Sequence, residues 1–376
     1  MKAFDSVERR ILLEVMAKRG VDRKLIALAR AMVSDEESMI IMNGEQQKPI
    51  KINRGVRQGG CSLPVCFNFI PNELAWKIEE LGLGVQLEDG LKIGILLYAD
   101  DIVLIAENPH MLRELVRATE SWAEDYKIEI NQEKSEIMTF GKSCEGINIR
   151  INGNLIKEVK AYKYLGYALG KRVKNTYHLD ERVSKMRTAM CLTLGRLKSL
   201  KNLQMQKKLT ILRACINSVG LYGLEVTGST LGAERVLEQL EVIQRRWIRW
   251  LMSAPQGVAN ETLYMDSGIM SMEMQLAVRV LNYRLKLERE LKRGTMLGKV
   301  YELNVKQELS SWAKMSAKWS RWWSLMSWGS DDKRKLGGSL WAGWCLMLGI
   351  RISLELKMKF VQQQGFLWLW MRVKVS

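Results

Sequence analysis

Two adjacent carboxylates stand inside a run that is otherwise apolar: Leu96-Leu97-Tyr98-Ala99-Asp100-Asp101-Ile102-Val103-Leu104-Ile105. The pattern reads as strand, tight acidic turn, strand, with Leu91–Tyr98 and Ile102–Ala106 as its arms. Burying unpaired carboxylates is expensive, so the pair needs counter-charge. Hard divalent cations with oxygen ligands, Mg²⁺ above all, supply it. Two such ions roughly 4 Å apart clamp the attacking and leaving oxygens of a phosphoryl transfer. An ordinary aspartate-containing hairpin turn accounts for the same two residues without chemistry.

A glycine-rich loop precedes the turn, Arg54-Gly55-Val56-Arg57-Gln58-Gly59-Gly60. Its glycines free backbone N–H groups for close approach to a ligand. Arg57 there is a phosphate partner or a solvated loop charge.

The elements that must hold these residues follow from local signals. Residues 5–19 read as a helix capped by Asp5 and Glu8, and 22–33 as a second. Met39–Met42 and Ile50–Asn53 read as short strands with the turn Asn43-Gly44 between them. The glycine-rich loop leads into a helix reaching about Leu81, in which Pro71 is expected to make a kink. A long helix runs from Pro109 to about Tyr126, and Asn152-Gly153 signals a hairpin. From Tyr177 the pattern is helical, with breaks near Gly220–Gly232 and Ser253–Asn260. Val236, Leu240, Ile243, Trp247 and Leu251 mark one apolar helix face.

Charge divides the chain unevenly. Residues 1–145 hold 19 Lys+Arg against 24 Asp+Glu, and the remaining 39 Lys+Arg and 17 Asp+Glu follow. The second part carries the whole positive balance of a chain whose net charge is +17, which points to a polyanionic partner. Within it, Arg182, Lys185 and Arg196 fall at helical spacing on one expected phosphate-binding face, with Glu181 one turn before Lys185. The 47% hydrophobic and 26% charged composition excludes wholesale disorder. The longest uncharged stretches, Gln58–Asn72 and Leu336–Ile350, are too short to cross a bilayer as helices. No secretion signal opens the sequence, and six cysteines without a C-x-x-C pair suit a reducing, intracellular (nuclear or cytoplasmic) compartment. Nine of the 13 tryptophans lie after residue 310 without a clean period. They suit base stacking, a core or a partner face.

Five motifs occur in order: Lys2-Ala3-Phe4-Asp5-Ser6-Val7, Arg54 to Gly60, Tyr98-Ala99-Asp100-Asp101, Asn131-Gln132-Glu133-Lys134-Ser135 and Tyr164-Leu165-Gly166. Together they resemble the reverse transcriptases of LINE-type (non-LTR) retrotransposons. The resemblance is strong over about residues 1–170. It continues more weakly to about 295, through Leu221-Tyr222-Gly223-Leu224-Glu225 and the helix with Gln244 and Arg245. It implies an α+β fold: a partial right-hand polymerase palm over 1–145, a hairpin and primer-grip turn over 146–170, and a basic helical thumb over 171–300. A tryptophan-rich, helical C-terminal region follows over 301–376. It further implies that Asp100 and Asp101 hold two Mg²⁺ ions and that Phe4 gates the sugar of the incoming nucleotide. Gln58 and Gly59, with Arg57, meet that nucleotide; Lys134 protonates the departing pyrophosphate. Tyr164, Leu165 and Gly166 grip the primer, and the implied partners are an RNA template and a DNA primer, not a membrane.

The sequence also departs from the family pattern. A catalytic aspartate five positions before the gating aromatic falls outside it when Phe4 is the gate. The run Gln58-Gly59-Gly60-Cys61-Ser62-Leu63-Pro64 is jumbled against the usual Gln-Gly-Cys-x-Leu-Ser-Pro. The expectation is an N-terminally truncated element copy, inactive as this chain. The alternatives are a nucleic-acid-binding remnant or a helical interaction protein.

Overall fold

The computed structural model describes residues 7–34, 36–56, 62–87, 90–140, 147–170, 176–198, 203–227, 233–291, 295–306, 312–317, 320 and 366–374. The chain divides into two compact units, Met1–Lys160 with Val361–Ser376, and Ala161–Phe360.

The first unit is built on a five-stranded sheet in the order Lys157–Glu158, Glu129–Phe140, Phe366–Lys374, Asp101–Ala106, Ile95–Tyr98. The first pair is parallel and the others are antiparallel. Ile102 to Ala106 are almost wholly buried without alternation, the signature of a central strand covered on both faces. Helix Pro109–Asp125 starts where Asn108 accepts a hydrogen bond from the Met111 N–H, with Pro109 in the donor-free first turn. It buries Leu112, Leu115, Val116 and Trp122, and the Trp122 indole donates to the Ile70 carbonyl at 3.2 Å.

Two charged side chains tie the unit's N-terminal segments to this core. Arg9 donates to the carbonyls of Gly55, Val33 and Ile52 and to Glu36. Glu73 is buried and accepts from Arg19, Lys18 and the Tyr126 hydroxyl, while Arg19 also lies 3.5 Å over the Trp76 ring. Burial pushes the Glu73 carboxyl up. The hydrogen bonds from Arg19 and Lys18 outweigh it and hold the carboxyl below the ordinary carboxylate value.

Several local expectations are corrected. The first helix is Arg9–Lys18; Glu8 is its N-cap residue without a side-chain cap bond, and Asp5 lies outside the described residues. Asn43-Gly44 closes Ile41–Met42 onto Glu45–Gln46, whereas Ile50–Lys51 pairs with Glu37–Ser38. Positive φ at both Asn43 and Gly44 suits a two-residue turn, which can join only the strands flanking it. Pro71 makes no kink. The chain breaks earlier, at Asn68, and Pro71 sits in the first turn of helix Phe69–Leu81, where its missing N–H has no intrahelical acceptor. The C-terminal region is not wholly helical: Phe366–Lys374 is a strand of the central sheet.

The second unit opens with the hairpin Ala161–Tyr164 and Tyr167–Gly170 and is helical thereafter. Its main helices are Thr176–Lys198, Ala233–Met252 and Met272–Glu290. The expected face of Val236, Leu240, Ile243, Trp247 and Leu251 is buried throughout. Helix Met205–Ile211 continues through a π-helical segment, Leu212–Asn217. Asn217 at its end donates to Gln244 at 2.6 Å and to Gln275 at 3.1 Å, a polar link inside the helical core.

Candidate active site

The acidic turn forms between its two apolar arms, as expected. Tyr98 and Asp101 are register partners, Ala99 takes φ 50° and Asp100 occupies the turn. Both aspartates are half-buried. One line of register partners crosses the sheet here: Tyr98, Asp101, Arg372, Asn131. The turn and the Asn131–Ser135 motif, 30 residues apart in sequence, thus meet at one end of the sheet, with a residue of the C-terminal strand between them.

Lys134 stands in an irregularity of its strand. Between Trp370 and Arg372 the opposing partner jumps from Glu136 to Asn131, so the motif bulges outward. The Asn131 side chain accepts from the Lys134 N–H at 3.3 Å, and the Ser135 hydroxyl donates to the Asn131 carbonyl at 2.7 Å. Lys134 is exposed. Phe4, Arg57, Gln58 and Gly59 lie outside the described residues. At the loop's start, Gly55 takes φ 85° and its N–H donates to the Val7 carbonyl at 2.9 Å.

Two Mg²⁺ ions need several converging anionic ligands. Among the described residues no group of three or more His, Cys, Asp or Glu side chains gathers to hold a metal. The register position opposite Asp101 belongs to Arg372, a basic residue. The described donors therefore do not fit a two-metal centre.

In the second unit, Tyr164-Leu165-Gly166 turns between paired strands, with φ 45° at Leu165 and 77° at Gly166. Tyr164 is buried. Three contacts lock this turn. The Tyr222 hydroxyl donates to the Leu165 carbonyl at 2.7 Å. His178 stacks on Tyr167 at 3.9 Å between centroids. Its Nδ1 accepts from the Ala168 N–H, which leaves Nε2 to donate to the Tyr222 carbonyl at 2.9 Å. A Cβ on Gly166 would fall 2.9 Å from the Tyr222 hydroxyl oxygen, so this position needs glycine on both counts. The motif around Tyr222 was visible in the sequence; that it clamps the earlier turn was not.

The expected cationic face is corrected at Arg182. It is 4% exposed, pairs with Glu181 at 3.1 Å and lies 5.2 Å from the Tyr222 ring centre, so it does not share a solvent face with the exposed Arg196. Lys185 pairs with Glu181 at 2.7 Å, and Lys163 reaches the same carboxylate at 3.3 Å. Burial works against the Glu181 charge, yet Lys185, Lys163 and Arg182 hold its pKa down at about 2. Sequence reasoning missed a second basic feature. Val242, Arg245, Arg246, Arg249 and Trp250 line a cavity of about 640 Å³. Arg249 is committed to the carbonyls of Pro255 and Val258 and to Asn260, while Arg246 is exposed. Its signal was available: Arg245 and Arg249, four residues apart, fall on the helix face opposite Ile243, Trp247 and Leu251.

The family described as reverse transcriptase (RNA-dependent DNA polymerase) matches residues 1–169. That match takes in 169 of the 376 residues, so the first part of the chain is similar to reverse transcriptases. Relatives carry the similarity further along the chain. The RNA-directed DNA polymerase from mobile element jockey of Drosophila melanogaster is 26% identical over 263 residues, 68% of this chain and 28% of that protein. The retrovirus-related Pol polyprotein from type-1 retrotransposable element R2 of Popillia japonica is 24% identical over 292 residues, 74% of this chain and 46% of its own length. A probable RNA-directed DNA polymerase from transposon BS of Drosophila melanogaster is 24% identical over 304 residues, 77% and 32% of the two chains. The chain thus spans less than half the length of these relatives, and each alignment extends beyond the reverse transcriptase domain into the helical unit. Among the described residues no helix is long and apolar enough to cross a membrane.

Proposed function

We propose that this chain is the polymerase portion of a non-LTR retrotransposon protein. It holds a primed RNA template but, in the arrangement seen here, does not extend it. The observation that carries the reading is the acidic turn Asp100-Asp101, closed between paired strands inside the reverse transcriptase domain. The 1–145 palm reading is supported by the mixed sheet, and the thumb reading of 171–300 by the basic helical unit. The tight Tyr164-Leu165-Gly166 turn suits a grip on a primer end, because Tyr222 and His178 fix its backbone before anything binds. Lys134 is free of burial and suits proton delivery near the turn. Phe4, Arg57, Gln58 and Gly59 keep the nucleotide-facing roles that the resemblance gives them. On the helical unit, Arg196 and Arg246 offer exposed charge for phosphates. Lys185 contributes less, because Glu181 already holds it.

Binding of a fluorescent RNA–DNA primer-template by the full chain, measured across salt concentrations, tests the proposal. Backbone recognition predicts a log–log slope of several units and little dependence on base sequence. Salt-independent binding, or none, would overturn it.

A further inference from the structure

The cavity of about 640 Å³ runs along the end of helix Ala233–Met252 and the loop after it. Val242, Arg246 and Trp250 follow one another at four-residue steps and form one row on the helix; Arg245 and Arg249 form the row beside it. Arg249 builds the wall. It donates to the carbonyls of Pro255 and Val258 and to Asn260, and the Ala254 N–H donates back to the Arg249 carbonyl at 2.9 Å, so the loop is fixed before anything enters. Arg245 and Arg246 are not committed in this way: among the described residues neither makes a hydrogen bond or an ion pair. Glu241, one turn before Arg245, already accepts from the Tyr264 hydroxyl and from the Met272 N–H. No acidic residue lines the cavity among the described residues. Its apolar side is equally placed. Trp250 is half-buried with its ring centre 5.5 Å from that of the wholly buried Trp247, and Val242 is 47% exposed.

The two uncommitted arginines call for anions, and Trp250 with Val242 calls for a flat, weakly polar group. A nucleotide offers both within its own length. In a duplex the base is already stacked on its neighbours, whereas in a single strand its face is available to an aromatic side chain. A bare phosphate or an acidic peptide would use the arginines and leave the aromatic row idle. We propose that this cavity holds an unpaired nucleotide of an RNA strand, its base against Trp250 and Val242 and its flanking phosphates on Arg245 and Arg246. The inference rests on the reading of the chain as a holder of primed RNA template, and it adds a grip on that template outside the duplex. Stacking tolerates any base, so the site positions the strand without reading its sequence.

Binding of a short fluorescent oligouridylate to the full chain, beside a blunt RNA–DNA duplex, tests the site. Trp250→Leu should weaken the oligouridylate roughly tenfold and leave the blunt duplex almost unchanged. Arg245→Gln with Arg246→Gln should lower the salt slope for the oligouridylate by about one to two units. An equal loss for the blunt duplex in Trp250→Leu would make the cavity a patch for backbone charge and overturn the stacked base. If the unaltered chain binds both probes and neither variant loses affinity for the oligouridylate, this site alone falls. If the unaltered chain binds neither probe, the reading beneath it falls as well. Uridine monophosphate should compete only at concentrations far above those of the oligonucleotide; equal competition would assign the site to free nucleotides and overturn the strand. Because Trp250 packs on Trp247, a measurement without substitution stands beside these. An oligonucleotide carrying 4-thiouridine, irradiated in the complex, should crosslink within residues 242–256, located by mass spectrometry of the digested chain. Crosslinks confined to other segments would overturn the proposal.

Discussion

Each of the two units buries a glutamate, and the two meet opposite fates. In the sheet-containing unit, Glu73 receives hydrogen bonds from Arg19 and Lys18 and stays ionised below the usual carboxylate range. In the helical unit, Glu225 is 1% exposed, and burial pushes its pKa up to about 7. The charge of Arg279 opposes that rise only in part. Fifty-four residues separate Glu73 from Arg19, so its counter-charge comes from tertiary structure. The sheet unit uses charge as a fastener, whereas the helical unit shields a carboxyl inside and carries most of its described cations exposed.

The largest expected effect breaks the fastener. Glu73→Ala should lower stability more than any other change considered, because it removes the buried acceptor that Arg19, Lys18 and the Tyr126 hydroxyl share. Chemical denaturation at pH 7 reads it out. The difference should shrink in acid. A carboxyl held below its unfolded value stabilises above about pH 4.5 and loses that contribution as pH falls through its folded pKa. A cost that persists unchanged in acid would mean that Glu73 acts through packing.

Glu225→Gln should do the reverse, stabilising the chain at pH 8 by on the order of 2 kcal/mol. In the folded chain this carboxyl binds a proton up to about pH 7, while in the unfolded chain it lets go near pH 4.5. Stability therefore falls as pH rises between those values, and the variant should abolish that fall. Thermal unfolding at pH 4 and pH 8 measures it; equal shifts at both would contradict the account.

How much of this was legible in the sequence depends on the distance between partners. The acidic turn, the Asn152-Gly153 hairpin and the helix Pro109–Asp125 follow from residues within a few positions of one another, and all three form. Pro71 was read correctly as a missing donor but placed in the wrong turn, because the break at Asn68 leaves little local signal. Arg182 looked like a surface cation because nothing in its own helix announces that Tyr222, forty residues on, lies against it. The C-terminal strand was least visible. Its partners lie over 200 residues away, and Leu-Trp-Leu-Trp is equally compatible with a buried helix.

Smaller effects sharpen the contrast within the helical unit. Gly166→Ala should cost about 1–2 kcal/mol, from a left-handed backbone and a clash with the Tyr222 hydroxyl. Tyr222→Phe should cost about 1 kcal/mol by removing the bond to Leu165. If Gly166→Ala loses stability but leaves primer-template affinity untouched, the turn is structural and does not grip. For duplex binding, Arg196→Gln should lower the salt slope by about one unit, while Arg182→Gln should leave the slope unchanged. A lower slope in Arg182→Gln would mean that this side chain reaches phosphate after all.

Primer extension by the purified full chain, on a primed RNA template with deoxynucleotides and Mg²⁺, tests the central claim most directly. Because the described donors do not gather into a two-metal centre, the account predicts that the duplex is bound and no product longer than the primer appears. Extension products that vanish in Asp100→Ala would contradict it.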